Sequence, residues 1–200
     1  MSQAKVLNER ELRKVLLYVA SHKHASRNKA MLLMTHLSGM RVGEVAAVTI
    51  GDVLNTDGSI KDEIYLAADQ TKGSKGRTVL LPKRLQDEIQ HFLSVRFRLK
   101  DLAVVNYTDT SRALFNTQKE PIRGFSANTL SQYFHYLYKA SGVDGASSHS
   151  GRRGFITALA NKGVNVRVLM ALAGHSNLST TQRYIELNPS MMRSAIELMG

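Results

Sequence analysis

The spacing of apolar residues changes along this chain, and that change limits the fold more than any other feature of the sequence. From Asn8 to Ala47, and in most of the chain after Lys83, apolar side chains recur every three or four positions, the period of an amphipathic helix. Between residues 48 and 81 they form short β-branched or apolar runs instead. The pattern predicts an α+β domain that is mainly α-helical and contains a small antiparallel sheet.

The predicted sheet has three strands, formed by residues 48–53, 64–67 and 78–81. Gly-containing turns over 55–58 and 72–76 join them, and Pro82 ends the sheet. We expect a loop-rich region over 101–124 that is anchored by a buried Leu114 and Phe115. The predicted helices cover residues 8–21, 28–38, 43–47, 83–100, 126–141, 148–162, 166–173, 180–188 and 190–199.

The composition points to a polyanionic partner. The chain has 27 Lys+Arg against 16 Asp+Glu, a formal net charge of +11, and the excess is present in both halves. Nucleic acid is the first candidate, and a basic protein without such a partner is the alternative. The lack of cysteine excludes a disulfide scaffold, a thiol nucleophile and a Cys-based zinc site. We see no secretory signal and no membrane span, and we expect a cytoplasmic protein.

Residues 147–156 combine helix-capping serines with one histidine and two arginines. Helical spacing places His149, Arg152 and Arg153 on one face, in line with the apolar stripe that contains Ile156. A buried guanidinium without an anion is costly, and the N-terminus of a helix attracts phosphate. Two interpretations stay open: a bound phosphate, or a structural arginine paired with a distant acid such as Glu44.

Two segments in the first half carry weaker signals. Arg41 follows Gly39 at a break between helices, where its side chain can point into a cleft, although a surface arginine is the simpler interpretation. The hairpin turn at 71–77 begins a stretch without acidic residues, from Gln70 to Gln86, that suits a phosphate or a DNA groove. A solvated charged turn is the alternative. The basic residues of this stretch are Lys72, Lys75, Arg77, Lys83 and Arg84.

The segment 172–184 contains a helix stop and a new helix start. Gly174 ends one helix, and His175 lies just past that end. Ser179 and Gln182 form a capping-box pattern, which predicts a helix that carries Tyr184 on its first turns. Without further context, Tyr184 is a core residue and His175 an ordinary turn residue.

Taken in order, these segments resemble the tyrosine recombinase (phage integrase) family over nearly the whole chain. The match consists of an Arg, a Glu three residues later, a Lys in a β-turn, His-x-x-Arg, Gly-His, and a Tyr nine residues after that His. The resemblance implies the catalytic-domain fold of that family and site-specific cleavage and rejoining of duplex DNA through a 3′-phosphotyrosyl intermediate, without metal or cofactor. A non-catalytic DNA-binding regulator and DNA relaxation of the type IB topoisomerase kind are the alternatives.

The resemblance also implies a role for each matching residue. Arg41 and Arg152 would clamp the phosphate, and Glu44 would support Arg41. Lys72 matches the catalytic lysine, with Lys75 as the alternative register. The two histidine positions and the nucleophile match His149, His175 and Tyr184. The other expected DNA contacts are Lys75, Arg77, Lys83, Arg84 and Arg153, the last standing where many members have a histidine.

The length of the chain sets an expectation about its organisation. Typical members carry a separate helical DNA-clamping domain, yet only about 25 residues precede the second predicted helix here. Met1 and the final predicted helix favour a short member over a catalytic fragment. We expect one catalytic domain over 1–200, with an arm at 1–25 and a C-terminal helix at 189–200 that is exchanged between subunits. The expected partners are duplex DNA, further copies in a tetrameric synapse formed from monomers, and an accessory DNA-binding protein.

Overall fold

The computed structural model describes residues 4–71, 75–97, 112–118 and 123–184, with 192–193 and 196–197. None of the helices within these ranges is both long and apolar enough to cross a membrane. A short 3₁₀ turn covers Ala68–Gln70. In chain order the elements are α1 (Glu9–Ala20), α2 (Ala25–Leu37), α3 (Val42–Ala47), α4 (Ile50–Val53), β1 (Glu63–Leu66), β2 (Arg77–Leu80), α5 (Lys83–Arg96), α6 (Ala127–Ala140), α7 (Ser150–Asn161), α8 (Val166–Ala173) and α9 (Leu178–Gln182).

Strands β1 and β2 form an antiparallel pair in which Glu63 faces Leu80 and Leu66 faces Arg77. Ile64, Leu66 and Val79 are buried while their neighbours point outwards, as the two-residue period of a strand requires. The described residues therefore contain a two-stranded sheet, and the predicted third strand at 48–53 is wrong.

That third segment forms the short helix α4 because a capping box outweighs its β-branched composition. Thr49 Oγ1 accepts a hydrogen bond from the Asp52 amide at 3.2 Å, and Asp52 Oδ2 accepts one from the Thr49 amide at 2.8 Å. The helical turn then buries Ile50 and Val53 together in the core. Among the described residues, Thr49 pairs with Ala113 in an isolated antiparallel bridge.

Predicted helix ends vary in accuracy with the strength of their capping signals. The Asn8–Glu11 capping box opens α1 as predicted, and Gly174, with a φ of 59°, ends α8. At α9 the predicted Ser179 cap is wrong: Asn177 Oδ1 accepts from the Ser179 amide at 2.9 Å, so the helix begins two residues earlier. It ends at Gln182 instead of 188, with residues 185–190 outside the described chain.

Helix α2 lies at the centre of the core and packs against α1, α5 and α7. Its turns bury apolar residues on every side, as expected of a helix enclosed by others. Arg27 precedes the predicted start of this helix at residue 28, yet it lies in the first turn and is buried. Its Nη1 donates to Asn116 O at 2.8 Å, and its Cζ lies 5.3 Å from the centre of the Phe125 ring. The predicted anchors Leu114 and Phe115 are buried, while most of the loop around them lies outside the described residues.

The contact between α2 and α7 is close because α7 presents a glycine to α2. A Cβ added at Gly151 would lie 2.1 Å from Thr35 Oγ1. This approach sets the first turn of α7, which carries Arg152, against the C-terminal end of α2. The position of Arg152 thus depends on a packing contact in the core.

Two leucine substitutions test this description of the core. Leu33 on α2 is 1% exposed and Leu17 on α1 is 65% exposed. We expect Leu33→Ala to lower the free energy of unfolding by about 2–5 kcal/mol, because it removes buried methyl groups and leaves a cavity. Leu17→Ala should change it by no more than about 0.5 kcal/mol. Urea denaturation followed by circular dichroism measures both, and equal losses would contradict the assigned core.

Candidate active site

Ends of several elements meet at one cleft. Arg41 precedes α3, Arg77 opens β2, and Gly174 ends α8. Arg152, in the first turn of α7, is buried close to Arg41 and Arg77 and does not line the cleft itself. The cleft has a volume of about 310 Å³. The residues that line it are Arg41, Thr71, Lys75, Gly76, Arg77, Gly174, His175 and Ser176.

Glu44 is the carboxylate of this site and is 1% exposed. Its Oε1 accepts from Arg41 Nη1 at 2.8 Å and from Arg77 Nε at 3.1 Å. Its Oε2 accepts from the Arg41 amide at 2.7 Å and from Arg77 Nη2 at 2.8 Å. Burial pushes the pKa of Glu44 upwards, but the hydrogen bonds and charges of Arg77 and then Arg41 outweigh it and hold that pKa below its ordinary value.

Arg152 is buried and is held by main-chain carbonyls instead of a carboxylate. Its Nη1 donates to Gly39 O at 2.7 Å, and its Nη2 donates to Ala173 O. Burial, followed by the nearby Arg41, lowers the pKa of Arg152 to about 9, so the side chain stays protonated at neutral pH. The sequence left two interpretations of Arg152 open, a bound phosphate or a pair with an acid such as Glu44. In the structure Glu44 pairs with Arg41 and Arg77 and does not form an ion pair with Arg152.

His175 lies just past α8 and is buried against α9. Its Nδ1 lies 2.9 Å from Thr181 Oγ1. Burial, followed by the positive charges of Arg152, Arg41 and Arg77, lowers the pKa of His175 to about 4. The imidazole is therefore neutral at physiological pH.

Tyr184 is half-buried and lies beside His175 and Arg153. The rings of His175 and Tyr184 are nearly parallel, with centroids 5.8 Å apart. Arg153 Cζ lies 5.9 Å from the centre of the Tyr184 ring. Arg153 Nε is buried and has no hydrogen-bond partner within the described ranges. Tyr184 is thus a phenol at the side of a strongly cationic cluster.

The other predicted site residues occupy different surroundings. His149 occupies the N-cap position of α7, one residue before the first helical residue, and its exposed side chain makes no capping hydrogen bond. The expectation that it shares the buried stripe with Arg152 is therefore wrong. Lys72 lies outside the described residues, but its neighbour Thr71 donates to Lys75 O at 2.7 Å across the turn. Lys75 is exposed at the cleft.

The predicted DNA contacts differ in accessibility. Lys83 and Arg84 are exposed in the first turn of α5, where Lys83 also pairs with Asp87 at 3.0 Å. Arg77 was predicted at an exposed basic turn, yet its side chain is 10% exposed and its guanidinium faces Glu44. A charged turn residue is directed inwards here because a buried carboxylate lies within reach.

The charges of the cleft favour an anion. Arg41, Arg77 and Arg152 carry three positive charges, and Glu44 supplies one negative charge among them, while His175 is neutral. The group keeps a net charge of +2 (three positive charges less one), and among the described contacts Arg152 is the arginine without a carboxylate partner. Fixed guanidiniums of this kind can bind a phosphate and stabilise charge that develops on its oxygens.

Two contributions to this site carried no readable signal in the sequence. Thr181, which contacts His175, is one of several hydroxyl residues in its segment, and nothing in the sequence distinguishes it from the others. The carbonyls of Gly39, Ala173 and Gly174 hold arginines, but every residue has a carbonyl. Their role depends on the path of the backbone and is invisible in residue types.

Comparisons with known proteins agree with the resemblance. The model of the phage integrase family matches residues 5–191. The tyrosine recombinase XerA of Pyrococcus horikoshii is 31% identical over 98% of this chain, and that of Pyrococcus furiosus is 27% identical over 96%. In both cases the match covers 61% of the relative, so this chain spans about three fifths of the length of these proteins.

Solved structures share the fold. A crystal structure of XerA recombinase superimposes with a TM-score of 0.74 at 24% identity, over 100% of this chain and 65% of that one. The catalytic domain of bacteriophage HP1 integrase gives a TM-score of 0.63 at 20% identity, over 98% of this chain and 95% of that domain. The mainly helical architecture with a small antiparallel sheet is therefore that of the catalytic domains in this group.

The low pKa of His175 yields a prediction about pH. Unfolded histidine has a pKa of about 6.5, whereas that of folded His175 is about 4. Below about pH 6.5 the unfolded chain takes up a proton that the folded protein does not, so the stabilising effect present above that pH is lost as the pH falls towards 4. Partly buried His36, whose pKa desolvation alone lowers to about 4, acts in the same direction.

NMR of the imidazole nitrogens follows the protonation of His175 separately from that of His36. The His175 ring should remain neutral at pH 6 and reach half-protonation near pH 4. The same ring in urea-unfolded protein is the control and should titrate near pH ~6.5. A midpoint near the control value in the folded protein would contradict the assigned burial.

Proposed function

Because the chain belongs to the phage integrase family, we propose that it is a site-specific tyrosine recombinase acting on duplex DNA. The observation that carries this proposal is the pair of arginines, Arg41 and buried Arg152, next to a histidine stacked on Tyr184. The proposed reaction is strand cleavage and rejoining through a 3′-phosphotyrosyl intermediate, for integration, excision or inversion. Its place would be on DNA in a prokaryotic cytoplasm.

The arginines suit the binding of a scissile phosphodiester. Arg41 and Arg152 donate inside the protein through some of their N–H groups, which holds both guanidiniums in place before substrate arrives. Guanidinium geometry matches the two non-bridging oxygens of a phosphate. Attack at phosphorus increases the charge on those oxygens, so fixed positive charge stabilises the transition state more than the ground state.

In the proposed cleavage step, the Tyr184 oxygen bonds to phosphorus and the bond from phosphorus to the 5′ oxygen breaks. The phenol must lose its proton as it attacks; His149 or a neighbouring group such as His175 would take it. The 5′ oxygen leaves as a hydroxyl after receiving a proton, a role we propose for Lys72. In rejoining, a 5′ hydroxyl attacks the phosphotyrosine and releases Tyr184, so no external energy source is needed.

Exposed basic residues support binding of the flanking duplex. Lys75 lies at the cleft, and Lys83 and Arg84 are exposed on α5. Contacts of this kind act on the DNA backbone and are independent of sequence. We propose that they supply steeply salt-dependent affinity, which falls sharply between about 50 and 200 mM salt.

We propose that the C-terminal segment 189–200 packs against a second copy of the chain in a tetrameric synapse. Met192 and Ile196 each have helical backbone and are exposed, and they lie four positions apart in the sequence, the spacing at which residues share a helix face. Light scattering on DNA-bound protein tests this: Met192→Glu with Ile196→Glu should leave monomers on DNA, and an unchanged assembly would refute it.

The nucleophile is tested with nicked duplexes tiled across the DNA that flanks the gene. A nick near the cleavage site lets the cut strand escape, which traps the covalent adduct. Peptide mapping should place the adduct on Tyr184, and Tyr184→Phe should bind the duplex without forming one. Tyr136→Phe, at an exposed tyrosine on α6, is the matched control and should form the adduct normally. An adduct on Tyr133, Tyr136 or Tyr138 would disprove the assignment.

The lysine assignment is tested with a 5′-bridging phosphorothiolate, whose thiolate leaves without a proton. Lys72→Ala should abolish cleavage of the ordinary substrate and regain it on the thiolate substrate. Lys75→Ala should weaken binding and lower the slope of affinity against salt by about one contact, with little change in cleavage at saturating DNA. If the thiolate restores cleavage by Lys75→Ala instead, the two roles are exchanged.

A further inference from the structure

The contacts of Arg77 show that its guanidinium serves the protein interior. All three of its side-chain nitrogens donate within the protein: Nε and Nη2 to the two oxygens of Glu44, at 3.1 and 2.8 Å, and Nη1 to Leu172 O at 3.0 Å. A side chain with 10% exposure and this set of partners is poorly available to DNA. A role other than phosphate contact is needed to explain it.

Arg77 and Arg41 share the carboxylate of Glu44. Each oxygen of Glu44 accepts one hydrogen bond from each arginine. The paired bonds from Arg77 fix the plane of the carboxylate, because a guanidinium and a carboxylate meet in two parallel hydrogen bonds. The acceptor directions that remain point towards Arg41. The orientation of Arg41 therefore depends on Arg77 through Glu44.

A second connection runs through the end of α8. The Arg77 side chain crosses Gly174 so closely that an added Cβ there would lie 2.6 Å from Arg77 Cδ. Gly174 O accepts from Arg41 Nη2 at 3.3 Å. Arg77 thus touches both groups that hold the Arg41 guanidinium, the Glu44 carboxylate and the Gly174 backbone.

We infer that Arg77 is a positioning residue, which fixes Glu44 and the end of α8 so that Arg41 is directed into the cleft. The inference rests on the proposed function, because that function makes Arg41 a phosphate ligand. Lysine cannot replace Arg77 in this role: an ammonium group is a point charge on a flexible stem and cannot bind both oxygens of Glu44 in one plane while also reaching Leu172 O. A DNA contact, in contrast, requires only the charge, which lysine supplies.

The variants Arg77→Lys and Arg77→Gln, with Arg13→Gln as control, separate these roles. Arg13 is an exposed arginine on α1. With nicked duplex at saturation and at temperatures where circular dichroism shows folded protein, both Arg77 variants should form the Tyr184 adduct about 10- to 100-fold more slowly. The dissociation constant of the duplex and its salt slope should stay at wild-type values, and Arg13→Gln should match the wild type throughout.

Two results would overturn the inference in this experiment. Recovery of the wild-type cleavage rate by Arg77→Lys would mean that charge alone matters. A weaker dissociation constant with a lower salt slope in Arg77→Gln, at an unchanged rate, would make Arg77 a DNA contact.

A measurement without DNA separates this inference from the proposed function. In NMR spectra of free protein, the guanidinium N–H signals of Arg41 should be sharp in the wild type and in Arg13→Gln, and broadened in Arg77→Lys, since Glu44 is no longer fixed. Unchanged Arg41 signals in both Arg77 variants would disprove positioning. Broadened signals in a protein that forms no adduct with any duplex would uphold the coupling and refute the recombinase proposal.

Discussion

One buried carboxylate, that of Glu44, is the interaction on which the rest of the site depends. Two arginines from different elements converge on it, Arg41 before α3 and Arg77 at the start of β2. Three positive charges this close together would repel one another, and a carboxylate buried alone would also be unfavourable. The cluster is stable because Glu44 accepts four hydrogen bonds, which compensates its own burial and reduces the repulsion around it.

The same cluster explains the state of the neighbouring groups. Arg152 stays charged, and His175 stays neutral because it is buried beside those charges. An imidazole without charge leaves the positive field of the arginines to act on a bound anion and can exchange a proton next to Tyr184. The field is therefore set by the guanidiniums, and the proton chemistry is left to other groups.

Sequence alone predicted the helical frame and the candidate residues better than it predicted their surroundings. Helical periodicity located α1, α5, α6 and α8, because the period of apolar residues follows directly from burial on one side. It failed at 48–53, where β-branched residues suggested a strand and one capping box decided otherwise. Arg77 was identified as a basic residue of interest but with an exposed role, since residue type does not reveal where a buried acid lies. The backbone acceptors of Arg152 could not be predicted at all, because they depend on tertiary placement.

The way in which Arg152 is held has a consequence for how such a site persists during evolution. Its described acceptors are carbonyl oxygens of Gly39 and Ala173, so no particular side chain is needed to hold it. Residue types around the arginine can vary where the backbone keeps its course, whereas Gly151 beside it is required by the close approach of α7 to α2. A XerA structure with 24% identity and a TM-score of 0.74 to this chain illustrates how far residue types can diverge while that course is retained.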